Sequence, residues 1–263
     1  MRIGVCMKSV ADGETEISGD GEILRSASHS GSNPSDKYAL ETALSIKEQK
    51  EAEISVFTMG PDYAKELLSE AAKLGADKIY LLSDPAFRGA DTFATSLTLC
   101  AALTKTGPYD LILCGEKAID GETGQVPGEL AAMLGFSCCM GVTALKAEEN
   151  RLICRCLMDE ETIEYGMTYP AVLGISCGME GIIHPAVPSL KSMQRARRME
   201  ACLLDREALG LPEDSVGLKG SKTQVKKVDR PKWERNCERM GDVKEGVKKT
   251  WELLKEAGWE VRP

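Results

Sequence analysis

A chain of 263 residues, 43% hydrophobic and 28% charged, is long enough for one large α/β domain with an ample core, with or without an extension. Its formal net charge of −8 argues against nucleic acid as a main partner, and no apolar run approaches the roughly 20 residues of a membrane helix. The opening MRIGVCMKSV enters a strand-like pattern at once without a secretory or transit signature, so a cytoplasmic location is expected.

Four apolar runs in the first half, RIGVCM (2–7), AEISVFTM (52–59), KIYLL (78–82) and YDLILC (109–114), have strand length. Their continuous apolarity is that of parallel strands covered on both faces. Helical patterns separate them. Asn33 and Pro34 form an N-cap and first-turn pair, after which Leu40, Ala43, Leu44 and Lys47 fall on one side. A second helix, predicted over Asp62–Leu74, buries Leu67, Leu68, Ala71 and Leu74 and stops at Gly75. A third, from Asp91, is expected to bury Phe93, Leu97, Cys100 and Ala101 and to stop at Gly107–Pro108. This order predicts a doubly wound, mostly parallel, Rossmann-like sheet. Such sheets bind ligands outside the carboxyl ends of their strands. Three loops are therefore singled out: the one from Lys8, the Gly60–Pro61 turn, and GEKAIDGETGQVPGEL at 115–130.

RLICRCL, TIEYGMTY and PAVLGIS read as strands of a small antiparallel or mixed β extension at about 140–180. SLKSMQRARRM follows as a short basic helix. The pattern loosens from Cys202, dividing a domain of residues 1–200 from an arm of residues 201–263. The arm ends in DVKEGVKKTWELLKEAG, an amphipathic helix with Val243, Val247, Trp251 and Leu254 on its apolar side, which suits docking on its own domain or on a partner.

The chemistry of common enzymes is missing. Neither G-x-x-x-x-G-K-[ST] nor G-x-G-x-x-G after the first strand is present, and the two histidines, His29 and His184, have no Gly-x-Ser-x-Gly elbow. Ten cysteines include no C-x-x-C pair, and Cys6, Cys100 and Cys114 sit inside apolar runs. They read as small hydrophobes of a reducing compartment, with neither disulfide nor metal expected. Asp120 and Glu122 suit solvation or a helix start better than acid and base roles, so no catalytic residue is assigned. Backbone N–H groups from Gly121 to Val126, with Thr123 and Gln125, can hold a pyrophosphate without lysine. The residues alone leave this reading and a plain glycine-rich turn equally open.

Ordered segments then resemble the β subunit of electron-transfer flavoproteins: VCMKSV, NPSDKYALETAL (33–44), TMGP (58–61), LGADKIYLLSD (74–84), GADTFATS (89–96) and LILCGEKAIDGETGQV (111–126). PSLKSMQRARR (188–198) resembles the family's partner-recognition segment, placed here within 184–198. The resemblance implies a heterodimer with an α subunit, and an electron carrier rather than an enzyme acting alone. It also implies an adenine nucleotide held by Cys6, Asn33, Pro34, Ser35, Asp36, Met59, Gly115, Asp120, Gly121, Glu122, Thr123, Gly124, Gln125 and Val126. The D-G-E-T-x-Q-V form resembles electron-bifurcating members, which implies FAD in this site and NADH as electron donor; AMP, structural in simple carriers, is the alternative. Leu190, framed by Lys191, Arg195 and Arg197, falls at the anchor that inserts into an acyl-CoA dehydrogenase or another flavin dehydrogenase. Three positions depart from the family pattern: Ala11 before Asp12, the order Pro127–Gly128, and Ala186–Val187 before the recognition segment. Nucleotide-hydrolysing enzymes and nucleotide sensors of related fold are the competing classes.

Overall fold

The computed structural model describes the chain except residues 12–15, 18–22, 25–29, 159–160, 182–185, 227–236 and 260–263; His29, His184 and Asp12 lie outside the described residues. Met1–Lys226 and Lys227–Pro263 form two separate compact units.

The first unit is built on a nine-stranded sheet of β1 (Arg2–Cys6), β6 (Glu53–Met59), β7 (Lys78–Leu82), β8 (Leu111–Gly115), β9 (Ser137–Ala147), β10 (Arg151–Met158), β11 (Glu161–Thr168), β12 (Ala171–Ile175) and β13 (Cys202–Leu204). Its order is β11-β10-β9-β12-β8-β1-β6-β7-β13. All adjacent pairs are parallel except those made by β10 with β9 and β11. Two small ribbons, β2 (Ser9–Ala11) with β5 (Ser30–Ser32) and β3 (Glu16–Ile17) with β4 (Ile23–Leu24), fill the connection after β1. The mostly parallel α/β expectation therefore holds. PAVLGIS differs from its predicted place: as β12 it lies between β8 and β9, parallel to both, and is fully buried. Only β10 and β11 make the antiparallel edge. A short apolar run is compatible with either position, and nothing in its period chooses between them.

Strand alternation divides the core. Ile3, Val5, Ile54, Val56, Leu111 and Leu113 pack with α1 (Pro34–Gln49) and α2 (Lys65–Leu74) on one face. Phe57, Ile112 and Cys114 pack with α3 (Thr92–Thr106) and α4 (Val126–Leu134) on the other. The second predicted helix begins as a 3₁₀ turn at Asp62–Ala64 before α2. α3 is rotated from its expected face: Ala94, Leu99, Ala102 and Leu103 are buried, while Phe93, Leu97, Cys100 and Ala101 are half-buried. Small polar residues share the buried face, where Ser96 and Thr98 are buried beside Ala94 and Leu99, and α3 also contacts α6 (Gly217–Gly220), so apolar periodicity does not choose the buried face. Asp91 caps α3 by accepting from Ala94 N–H and also accepts from the N–H groups of Lys222 and Thr223, tying the end of this unit to the helix.

Cysteines 6, 114, 139, 154 and 156 are buried as free thiols. Among the described residues no helix is long and apolar enough to cross a membrane. In the second unit α7 (Val243–Glu256) starts at Asp242, which accepts from Lys244 N–H, and Lys255 Nζ lies over the Trp251 ring, 5.5 Å from its centroid.

Candidate functional site

The parallel core changes direction between β1 and β8. β1 leads to α1 on one face of the sheet and β8 leads to α4 on the other, so their outgoing loops part and leave a crevice at the carboxyl edge. Cys6 ends β1, in register with Phe57 and Cys114 on its two neighbours. Met59 ends β6 and is half-buried against the second core cluster.

The start of α1 fastens these loops together. Asp36 is only 4% exposed, yet its carboxylate accepts from the N–H of Lys8 at 2.7 Å, the N–H of Gly115 at 3.0 Å and Asn33 Nδ2 at 2.9 Å. Burial pushes its pKa up to about 6, against the downward pull of those three donors and of the Lys8 charge. Gly115 has to be glycine, because a Cβ there would lie 2.2 Å from Asp36 Oδ1. Asn33 donates from Nδ2 to the Lys117 carbonyl and accepts at Oδ1 from Ile119 N–H, and Ser35 Oγ donates to the same carbonyl. Asn33 is thus the predicted N-cap by position, but its side chain holds the β8 loop and makes no cap hydrogen bond. Pro34 is the exposed residue of a first turn whose Ser35 and Asp36 are buried.

Above this support the loop opens outward. Glu116 N–H donates to the Ile175 carbonyl, so β12 also anchors the loop. Asp120, with a side chain 5% exposed, is paired with Lys8 Nζ at 2.6 Å. Gly121, Glu122, Thr123 and Gln125 are exposed, and a Cβ on Gly121 would meet nothing within 4 Å. Gly124 adopts φ +61° and is half-buried, and a Cβ there would lie 3.5 Å from the Glu116 carbonyl oxygen and 3.9 Å from Lys117 Cβ. Glu122 also has positive φ, at 49°, and its carboxylate lies 3.9 Å from Lys117 Nζ. α4 begins at Val126 with Pro127 behind it, and the N–H groups of its first turn have no acceptor within the helix. Open glycine backbone, a helix start, and an acidic residue already neutralised by lysine suit a phosphate-bearing ligand.

Several residues here escape motif reading. Lys8 supplies both a backbone donor to Asp36 and the cation for Asp120. Thr92 Oγ1 donates to Gln125 Oε1 at 2.9 Å and approaches Glu129 Oε1 at 3.0 Å, and Ser96 Oγ donates to Glu129 Oε2 at 2.8 Å. The available signal was spacing: hydroxyls four apart on α3 match polar acceptors four apart at the start of α4.

Residues 188–198, expected from the resemblance to recognise a partner, lie away from this edge. α5 (Leu190–Ala196) is capped by Ser189, which accepts from Ser192 N–H, and it buries none of its own residues. Leu190 is 81% exposed. Lys191 and Arg197 are exposed as well. Arg195, by contrast, is bound to the turn between α2 and β7.

A family model described as the electron transfer flavoprotein domain matches residues 21–196. The chain is 40% identical over 86% of both sequences to the "Caffeyl-CoA reductase-Etf complex subunit CarD" of Acetobacterium woodii. It is 34% identical to an electron transfer flavoprotein subunit beta of Megasphaera elsdenii, over 88% of each chain. It is also 32% identical to an acryloyl-CoA reductase electron transfer subunit gamma of Anaerotignum propionicum, over 88% of this chain and 89% of that one.

Proposed function

The chain belongs to the electron transfer flavoprotein family as a β-type electron-transfer subunit, and from that premise we propose that it holds FAD at the crevice between β1 and β8. The observation that carries this reading is the loop Gly121–Gln125: exposed, glycine-bearing, running into α4, with Asp120 already paired to Lys8. Backbone N–H groups of Gly121 to Val126, other than that of Glu122, which is held by the Ala118 carbonyl at 2.8 Å, face the phosphates with Thr123 and Gln125; Cys6 and Met59 border the crevice at the ends of β1 and β6. Asn33, Ser35, Asp36 and Gly115 support the loop from behind, because their polar atoms are already engaged with it. Bound FAD supplies flavin redox chemistry, and the protein supplies placement and electrostatics.

In the same reading the chain pairs with an α subunit in the cytoplasm and works in NADH-dependent electron bifurcation. α7 docks on that subunit through Val243, Val247 and Trp251, whose apolar surface is exposed. Leu190 anchors an acyl-CoA dehydrogenase or another flavin dehydrogenase, with Lys191 and Arg197 at its rim. The Acetobacterium relative, named as a subunit of a reductase-Etf complex, supports that assembly.

The test is nucleotide release from the chain co-purified with its α subunit. Two flavins per complex support the proposal. One flavin with one AMP reduces the chain to a simple carrier, and no β-associated nucleotide sinks the site.

A further inference from the structure

We propose that Arg195 is the positioning residue of the recognition segment: its guanidinium seats α5 on the α2–β7 turn and so presents Leu190, instead of meeting the partner protein itself. The inference rests on the reading of Leu190 as the partner anchor. Arg195 Nη1 donates to Asp77 Oδ1 at 2.8 Å, and Nη2 donates to the carbonyls of Gly75 at 3.0 Å and Ala76 at 2.7 Å. Three acceptors on one turn are a match for a planar fork of donors and a poor match for a lysine ammonium. The turn also follows the carboxyl end of α2, where the helix dipole favours a cation.

The acceptor side is itself fixed. Asp77 Oδ2 accepts from Ile54 N–H at 2.9 Å and is paired with Lys47, whose Nζ also reaches the Gly75 carbonyl at 3.2 Å. The turn is therefore tied to both β6 and α1. On the other side, α5 has no buried residue of its own to hold it by apolar contact. Ala196 and Met199, at and beyond its end, are only partly buried against the core. Upstream, Ala186 N–H donates to Glu41 Oε1 at 2.9 Å, so the segment is tied at its start and lightly packed at its end, and the Arg195 clamp is the polar tie made by α5 itself.

Helical geometry separates the two roles. At about 100° per residue, Leu190 lies roughly 140° around the helix from Arg195, while Arg197 returns to within about 20° of Leu190. Arg195 faces the turn, and Leu190 with exposed Arg197 and Met193 faces away. A leucine held in place before encounter loses less freedom on docking than one on a loose segment.

The experiment uses the complex co-purified with its α subunit and an acyl-CoA dehydrogenase that accepts electrons from it. Arg195→Ala, Arg195→Lys, Leu190→Ala and the Arg195→Ala/Leu190→Ala double variant are compared by amide hydrogen exchange over 186–199, by KM for the dehydrogenase, and by kcat at saturation. Arg195→Ala is expected to speed exchange and raise KM roughly tenfold, with kcat and flavin content unchanged. Arg195→Lys should recover part of both effects, and the double variant should be no worse than Leu190→Ala alone. Unchanged exchange with an additive double variant makes Arg195 a direct rim contact and overturns the proposal. Faster exchange with unchanged KM overturns it too. If Leu190→Ala leaves KM unchanged, the anchor reading itself has failed; if Leu190→Ala raises KM but Arg195→Ala does not, only the clamp has.

Discussion

The β8 loop and helix α5, the two surfaces of the proposed function, are each held by a polar grip, but the grips lie in different media. The loop is held from below by Asp36 and Asn33, which are 4% and 1% exposed. The helix is held by the Arg195–Asp77 pair, whose side chains are 44% and 21% exposed. A buried carboxylate bonded only to donors is insensitive to salt but strained by its own desolvation, so it responds to protons and to small changes of volume. A guanidinium at the surface is screened and replaceable, so it responds to ionic strength and contributes little to global stability. On the proposed function, the difference separates residues that decide whether the site exists from those that decide how well a partner finds it.

The strongest break in that contrast is Gly115→Ala. A methyl 2.2 Å from Asp36 Oδ1 and 2.8 Å from Asp36 N has no room, so urea unfolding should show a loss of about 3 kcal/mol, with the bound nucleotide released. Hydrogen exchange over α5 should be unaffected. A near-neutral Gly115→Ala would mean that the grip beneath the loop is loose.

Asp36→Asn sharpens the buried side through pH. The Asp36 pKa is raised from 3.8 to about 6, so the folded chain binds a proton that the unfolded chain releases. Its contribution is full below pH 3.8 and is lost as pH rises through 6. Between pH 4 and pH 7 the stability difference between wild type and Asp36→Asn should therefore change by up to about 3 kcal/mol, moving in favour of wild type as pH falls. Parallel pH curves for the two proteins would remove the buried-carboxylate explanation.

Gly124→Glu probes the open end of the same loop. Left-handed backbone at φ +61° costs a non-glycine residue about 1 kcal/mol, and the added charge should expel the nucleotide while the sheet stays folded. Full nucleotide stoichiometry in this variant would refute the phosphate site. Smallest in stability is Leu190→Ala, within about 0.5 kcal/mol because the side chain is exposed. It should slow electron transfer to the dehydrogenase and spare flavin content; equal turnover would exclude Leu190 from the contact.

Much of this architecture is legible in the sequence for identifiable reasons. The first four central strands are continuous apolar runs, and the helix ends carry local chemistry, such as Asp91 accepting from Ala94 N–H and Gly75 closing α2. Asn33–Asp36 and residues 115–126 also stand out in the sequence, the first by Asn-Pro at a helix start and the second by its glycines, of which Gly115 and Gly124 are required by close approach and by positive φ. What motif reading does not reveal is function within the cluster. Asn33, Ser35 and Asp36 are polar and beside the loop, and only their hydrogen bonds show that they face it from inside. Arg195 is likewise one basic residue among several until its three acceptors are seen. The face of α3 and the place of β12 depend on packing between distant segments, which neither helical nor strand periodicity records.

That placement of β12 bears on the order of assembly. β8 pairs with β1 on one side and with β12 on the other, and β12 is synthesised only after the whole of β9, β10 and β11. Until it inserts, β8 is an open sheet edge directly beneath the glycine loop, and Glu116 lacks the Ile175 carbonyl that fixes the first step of that loop. The nascent chain therefore carries every residue of the proposed phosphate loop well before it can hold the loop in shape. On the proposed reading, nucleotide capture follows closure of the sheet, and a chain ending before residue 171 should neither bind nucleotide nor shield its own β8 edge from other chains.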